Sequence, residues 1–165
     1  MLIAIDIGNT NITFGVFSPD SNKPLQYGNI QTDNKMTTDE LAIKYDNLRR
    51  LWGLPVHQPE DAVYICSVVP QMNYEMIHMF DKYYQSKPYI VRNQDIPLNI
   101  RYDYPDEIGA DRVIDAFAAA KHHPGENLII VDFGTATTFD IVSNGTDYEG
   151  GLIMTGIITS LRALE

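Results

Sequence analysis

The chain has 165 residues, with 12 Lys and Arg against 22 Asp and Glu, a formal charge of −10 and a single cysteine. That balance argues against nucleic-acid binding, which needs clustered cations, and one cysteine cannot close an internal disulfide. At 44% hydrophobic content, with no apolar run long enough to span a membrane and no leader pattern before the first strand, it reads as one soluble domain expected in the cytoplasm.

In chain order, residues 2–7 and 11–17 are apolar runs split by Gly8-Asn9-Thr10-Asn11, the pattern of a β-hairpin. A third strand is predicted near 25–31. Thr37, Thr38, Asp39 and Glu40 then precede Leu41, Tyr45, Leu48 and Trp52, a helical stripe with cap candidates at its start, closing at Gly53-Leu54-Pro55. Residues 62–69 form a continuous apolar strand stopped by Pro70. The spacing predicts a helix over 71–86, with Met72, Met76, Met79, Phe80 and Tyr83 on its core face. Cys66, inside the apolar strand, reads as a buried core residue.

A short strand is predicted at 88–92, an irregular segment at 95–107 and an alanine-rich helix at 111–122, closed by His123-Pro124-Gly125. Strands follow at 128–132 and 136–142, then a turn at Asn144-Gly145 and a last helix from about Ile157. Strands alternate with helices after an opening meander, which gives an α/β fold with a mixed sheet.

Two stretches echo each other. LIAIDIGNTNITFGVF at the N-terminus and NLIIVDFGTATTFDIV from Asn127 both run an aliphatic strand into Asp, an apolar residue and Gly, then into hydroxyl or amide side chains. Gly8 and Gly134 let a ligand approach the backbone closely. The following N–H groups, with the hydroxyls of Thr10, Thr13, Thr135, Thr137 and Thr138, can donate to phosphate oxygens. Asp6 and Asp132 would meet a phosphate only through a cation or water, as phosphoryl transfer requires. Neither a Walker A loop nor GxGxxG occurs, and no GxSxG nucleophile motif is present. His57 and His78 are isolated, and His122-His123 reads as a polar helix end.

The third informative stretch is NIRYDYPDEIGADRVID, from Asn99 to Asp115. Asp111 fits an N-cap, and Arg112 fits a partner for Asp115. Alternatively, Asp111 accepts a proton from a substrate hydroxyl and Arg112 grips a carboxylate with two N–H groups, with Tyr102 and Tyr104 walling the pocket. A kinase for a small hydroxylated acid needs both roles.

DIGNTN at 6–11, CSVVP at 66–70, YDYPDEIGADR at 102–112, DFGTATTFD at 132–140 and YEGG at 148–151 together resemble the type III pantothenate kinases. That family belongs to the actin, sugar-kinase and heat-shock-chaperone ATPase superfamily, built from two ribonuclease H-like domains. The resemblance implies that ATP, with Mg2+, phosphorylates the primary hydroxyl of pantothenate in the first step of coenzyme A synthesis. It implies a first phosphate loop of Asp6, Ile7, Gly8, Asn9, Thr10, Asn11, Ile12 and Thr13, and an ATP contact at Thr135. It further implies a pantothenate site of Tyr102, Gly109, Ala110, Asp111 and Arg112 with Asp111 catalytic, and a monovalent cation, K+ or NH4+, held by Asp132.

A homodimer is implied for the full-length protein, and no nucleic-acid or membrane partner. Residues 1–156 are expected to form one ribonuclease H-like domain, and 157–165 to begin a helix leading to a second domain. Two departures stand out: Thr155 takes the place of the family's proline, and family chains continue beyond Glu165. A non-catalytic regulatory module of the same fold, or another small-molecule kinase of the superfamily, are the alternatives.

Overall fold

The computed structural model describes residues 1–163, apart from the side chain of Asp106. The chain divides into two compact units, Met1–Val91 and Arg92–Glu165, each with its own sheet.

The first unit holds β1 (Leu2–Ile7), β2 (Asn11–Phe17), β3 (Pro24–Gln31), α1 (Thr38–Leu51), β4 (Ala62–Ser67), α2 (Pro70–Tyr84) and β5 (Tyr89–Ile90). Its sheet runs in the order β3-β2-β1-β4-β5. The β1–β2 and β2–β3 pairs are antiparallel, and the β1–β4 and β4–β5 pairs are parallel. Three meandering strands continued by two parallel ones, with helices in the connections, are the ribonuclease H-like arrangement.

Alternation in the sequence decides which face is buried. Ile3, Ile5 and Ile7 on β1, and Ile12, Phe14 and Val16 on β2, enter one core with Val63 and Ile65, Leu41 and Tyr45 of α1, and the methionines of α2. The start of α1 is fixed by a capping box in which Thr37 and Glu40 satisfy each other's backbone N–H groups. Pro70 does more than stop a strand: it opens α2, where its missing N–H costs nothing. The core face of α2 ends on Tyr84, not on the expected Tyr83. The Tyr84 hydroxyl reaches Asp46 of α1 at 2.8 Å, whereas Tyr83 stays exposed and donates to Asp39.

Polar residues are buried beside this core. Arg49 donates to the Pro55 carbonyl and, at 2.9 Å, to the Tyr45 hydroxyl, which in turn meets His57 Nδ1 at 3.0 Å. His57 is 3% exposed. Burial holds its imidazole neutral, pushing its pKa down from 6.5 to about 4 against the opposing pull of Asp61. The unfolded chain therefore takes up this proton near pH 6.5 and the folded chain only near pH 4. Stability is full above the first value and declines as pH falls to the second, by up to ~3 kcal/mol. Urea midpoints should fall between pH 7 and pH 4.5, and His57→Phe should flatten that dependence. An unchanged slope in the variant would assign the loss to other groups.

The second unit holds β6 (Asn99–Ile100), α3 (Ala110–His122), β7 (Leu128–Phe133), β8 (Ala136–Ser143), β9 (Asp147–Thr155) and α4 (Ile157–Arg162), with 3-10 turns at Asn93–Asp95 and Pro105–Glu107. Its sheet runs β6-β9-β8-β7, antiparallel through β7, β8 and β9. Strand β9 is absent from the sequence reading. Gly150 and Gly151 interrupt its alternation, and the sheet shifts register where β8 passes Ile141 and Val142. The last helix was expected over 157–165; Leu164 and Glu165 lie outside the described residues.

Candidate active site

The first Asp-Gly turn joins β1 to β2. Asp6 lies opposite Thr13, and Gly8 N–H donates to Asn11 O at 2.9 Å. Asp6, Asn9, Thr10 and Asn11 are exposed, so their polar groups can meet a ligand. Ile7 and Ile12, both expected in the phosphate loop, send their side chains into the core, which leaves them only backbone groups to offer. A cavity of about 540 Å³ borders the turn, lined in part by Asn9, Thr32, Asp33, Lys44 and Gln71. Thr32 and Lys44 did not stand out in the sequence, because no motif contains them.

The second turn joins β7 to β8 in the second unit. Asp132 lies opposite Thr138, and Gly134 N–H donates to Ala136 O at 2.9 Å. Asp132 and Thr135 are exposed. A Cβ on Gly134 would sit 3.3 Å from Asp132 Oδ2, so glycine leaves the carboxylate room above the turn. Gly156 packs against the turn more tightly still: a Cβ there would lie 2.3 Å from the Thr135 carbonyl. Beside it the Thr155 hydroxyl meets Ser160 Oγ at 2.8 Å.

A second candidate element of the second unit begins at α3. Gly109 is the N-cap, so Asp111 is not; it sits in the first turn, where its Oδ1 accepts the Arg112 N–H at 2.8 Å. Asn93 positions the preceding segment by donating to the carbonyls of Pro105 and Ile108 at 2.9 and 2.8 Å.

Arg112 forms its ion pair with Asp140 of β8: Nη2 lies 2.7 Å from Oδ1 and Nε 3.3 Å from Oδ2. Tyr148 of β9 donates to the same carboxylate at 2.5 Å. Burial works against the Arg112 charge, but the Asp140 carboxylate outweighs it and raises its pKa; burial and the same carboxylate raise that of Tyr148. The expected bidentate grip of Arg112 is thus occupied by an internal carboxylate. The Nη1 end of the guanidinium is the part these contacts do not use.

The two glycines of YEGG make room for this arrangement. A Cβ on Gly151 would meet Arg112 Nη2 at 2.7 Å and the Phe139 carbonyl at 1.9 Å, and one on Gly150 would meet the Tyr102 ring at 3.1 Å. Tyr102 and Arg112, ten residues apart, therefore both close on the distant Gly150-Gly151. Sequence reasoning missed Asp140 and Tyr148. The available signal was a carboxylate at an inward strand position, which demands a charged partner.

A ribonuclease H-like sheet with an Asp-Gly turn after its first strand, and a second such turn in a separate unit, define the ATPase fold shared by actin and the sugar kinases. Within that class, the chain belongs to the type III pantothenate kinase family, whose sequence profile matches residues 2–165. It is 42% identical over 166 residues to the type III pantothenate kinase of Geotalea daltonii, covering 99% of this chain and 63% of that protein. It is likewise 42% identical to that of Paramagnetospirillum magneticum, covering 100% and 63%. The chain thus spans under two thirds of the length of these relatives.

Among solved structures it resembles a Campylobacter jejuni protein assigned to a Baf family of transcriptional activators, with TM-score 0.55 and 18% identity over 98% of this chain and 58% of that one. It also resembles a Sinorhizobium meliloti protein assigned as a 2-dehydro-3-deoxygalactonokinase, with TM-score 0.57 and 13% identity over 99% and 56%. At these identities the likeness is one of fold.

Proposed function

We propose that the complete protein transfers the γ-phosphoryl group of ATP to the primary hydroxyl of pantothenate, the entry step of coenzyme A synthesis. Family membership supports this reading, and the observation that carries it is a cluster of side chains in the second unit. There, a carboxylate in the first turn of α3 stands beside an Arg locked by Asp140 and an aromatic ring seated on Gly150.

Asp111 accepts the hydroxyl proton as the substrate oxygen bonds to the γ-phosphorus and the bond to the ADP oxygen breaks. One Asp111 oxygen is held by the Arg112 N–H, which keeps the carboxylate aimed. Arg112, braced by Asp140 and Tyr148, offers its Nη1 end to the pantothenate carboxylate. Tyr102 covers the apolar part of the substrate. The exposed carboxylates of Asp6 and Asp132 and the loop N–H groups suit a hydrated Mg2+ and a monovalent cation at Asp132, which offset phosphate charge. No cluster of three or more His, Cys, Asp or Glu occurs among the described residues, so phosphate oxygens and water would complete either coordination shell. No described helix is long and apolar enough to cross a membrane. Homodimerisation and a cytoplasmic location belong to the same proposal.

Acceptor selectivity tests it. ADP release by the complete protein should require pantothenate and not respond to glucose, glycerol or acetate. A preference for one of those acceptors would identify another small-molecule kinase, and release with none would favour a regulatory module.

A further inference from the structure

The first phosphate turn is held from outside its own hairpin. Thr32, the residue after β3, donates its hydroxyl to the Gly8 carbonyl at 2.7 Å and its N–H to the Thr10 carbonyl at 2.9 Å. It binds the turn through both side chain and backbone, and it also lines the cavity beside Asn9. The second turn is held in a similar way from the end of β9. Gly156, the residue after β9, donates its N–H to the Thr135 carbonyl at 3.2 Å, and the Thr159 hydroxyl donates to that carbonyl at 2.9 Å. The two turns differ in length and sequence, yet each has carbonyl oxygen drawn toward the end of the strand that follows its hairpin, β3 in the first unit and β9 in the second.

A peptide unit is planar and trans, so its N–H points opposite to its C=O, and no cis bond occurs among the described residues. Drawing the Gly8 and Thr10 carbonyls toward Thr32 therefore turns the Asn9 and Asn11 N–H groups the other way. Two N–H groups fixed on one face of a turn form a concave anion seat, and a seat already oriented needs no reordering when the anion arrives.

We propose that Thr32 is a positioning residue for ATP: its hydroxyl sets the orientation of the first phosphate turn without touching the nucleotide. This rests on the kinase reading above. Thr32→Val keeps the shape and the backbone bond to Thr10 but loses the bond to Gly8, and Thr32→Ser restores the hydroxyl. In the complete protein, Thr32→Val should raise the KM for ATP about tenfold or more, with the pantothenate KM within about twofold of wild type. Thr32→Ser should return the ATP KM to near the wild-type value, and both variants should keep a wild-type Tm to within a few degrees. Wild-type ATP kinetics in Thr32→Val, an equal rise in both KM values, or failure of Ser to rescue would each overturn the proposal.

Direct titration of MgATP, read by calorimetry, separates this from the choice of acceptor. If the protein phosphorylates something other than pantothenate, weakened MgATP binding in Thr32→Val still supports the positioning role and unchanged binding still overturns it. A wild-type protein that binds no nucleotide overturns both readings.

Discussion

Replacing Asp111 with Asn in the complete protein is expected to lower kcat by ~100- to 10,000-fold while moving the pantothenate KM by less than about threefold. Asn has the same shape and retains an oxygen to accept the Arg112 N–H, so the first turn of α3 should hold and the substrate should still bind. What Asn cannot do is take the hydroxyl proton. The loss should therefore fall on turnover, with Tm unchanged to within a few degrees. Near-wild-type turnover would remove Asp111 from proton transfer and leave it a helix-start residue.

The second large effect is expected at Asp140, a residue outside the initial site. Asp140→Ala removes the carboxylate that Arg112 and Tyr148 share and leaves a largely buried guanidinium without its counter-charge. Breaking such a pair from one side should cost the second unit ~2–4 kcal/mol, with Arg112 released from its position. The pantothenate KM should rise at least about tenfold and the ATP KM much less. Tyr148→Phe, which removes one donor to the same carboxylate, should cost ~1 kcal/mol with a smaller kinetic effect. If Asp140→Ala left the pantothenate KM unchanged, the bracing of Arg112 would be structural only.

Much of the first unit was legible because local and tertiary signals agree there. The alternation of β1 and β2, the Thr37 and Glu40 capping box and the methionine stripe of α2 all point to the same core. The miss at Tyr83 is one of helical phase: neighbouring tyrosines both fit the stripe, and only the distant Asp46 decides between them. Strand β9 was illegible because its glycines, which weaken a strand signal, are there to admit Tyr102 and Arg112. Asp140, Tyr148, Thr32 and Asn93 were missed for a related reason. Each acts through a partner outside its own motif, from 8 residues away for Tyr148 to 28 for Asp140 and Arg112, and no short motif records such a pairing.

The echo between the two Asp-Gly turns was legible, but its surroundings were not. Ile3 and Ile7 of β1 are 0% exposed, while Ile129 and Phe133, at the matching positions of β7, are each 71% exposed. The same local pattern is thus covered by helices in the first unit and uncovered by the described residues of the second. The sequence pattern alone does not register this difference, since burial is a property of packing and not of pattern.

The central claim is that this fold, in its complete form, phosphorylates pantothenate through Asp111. The most direct measurement is the stoichiometry of ADP and phosphorylated pantothenate formed by the purified complete protein with MgATP, with product identity read by NMR. Equal formation of the two, phosphate on the primary hydroxyl, and loss of both in Asp111→Asn are predicted. ADP formation that does not depend on pantothenate, or that persists undiminished in Asp111→Asn, would contradict the account.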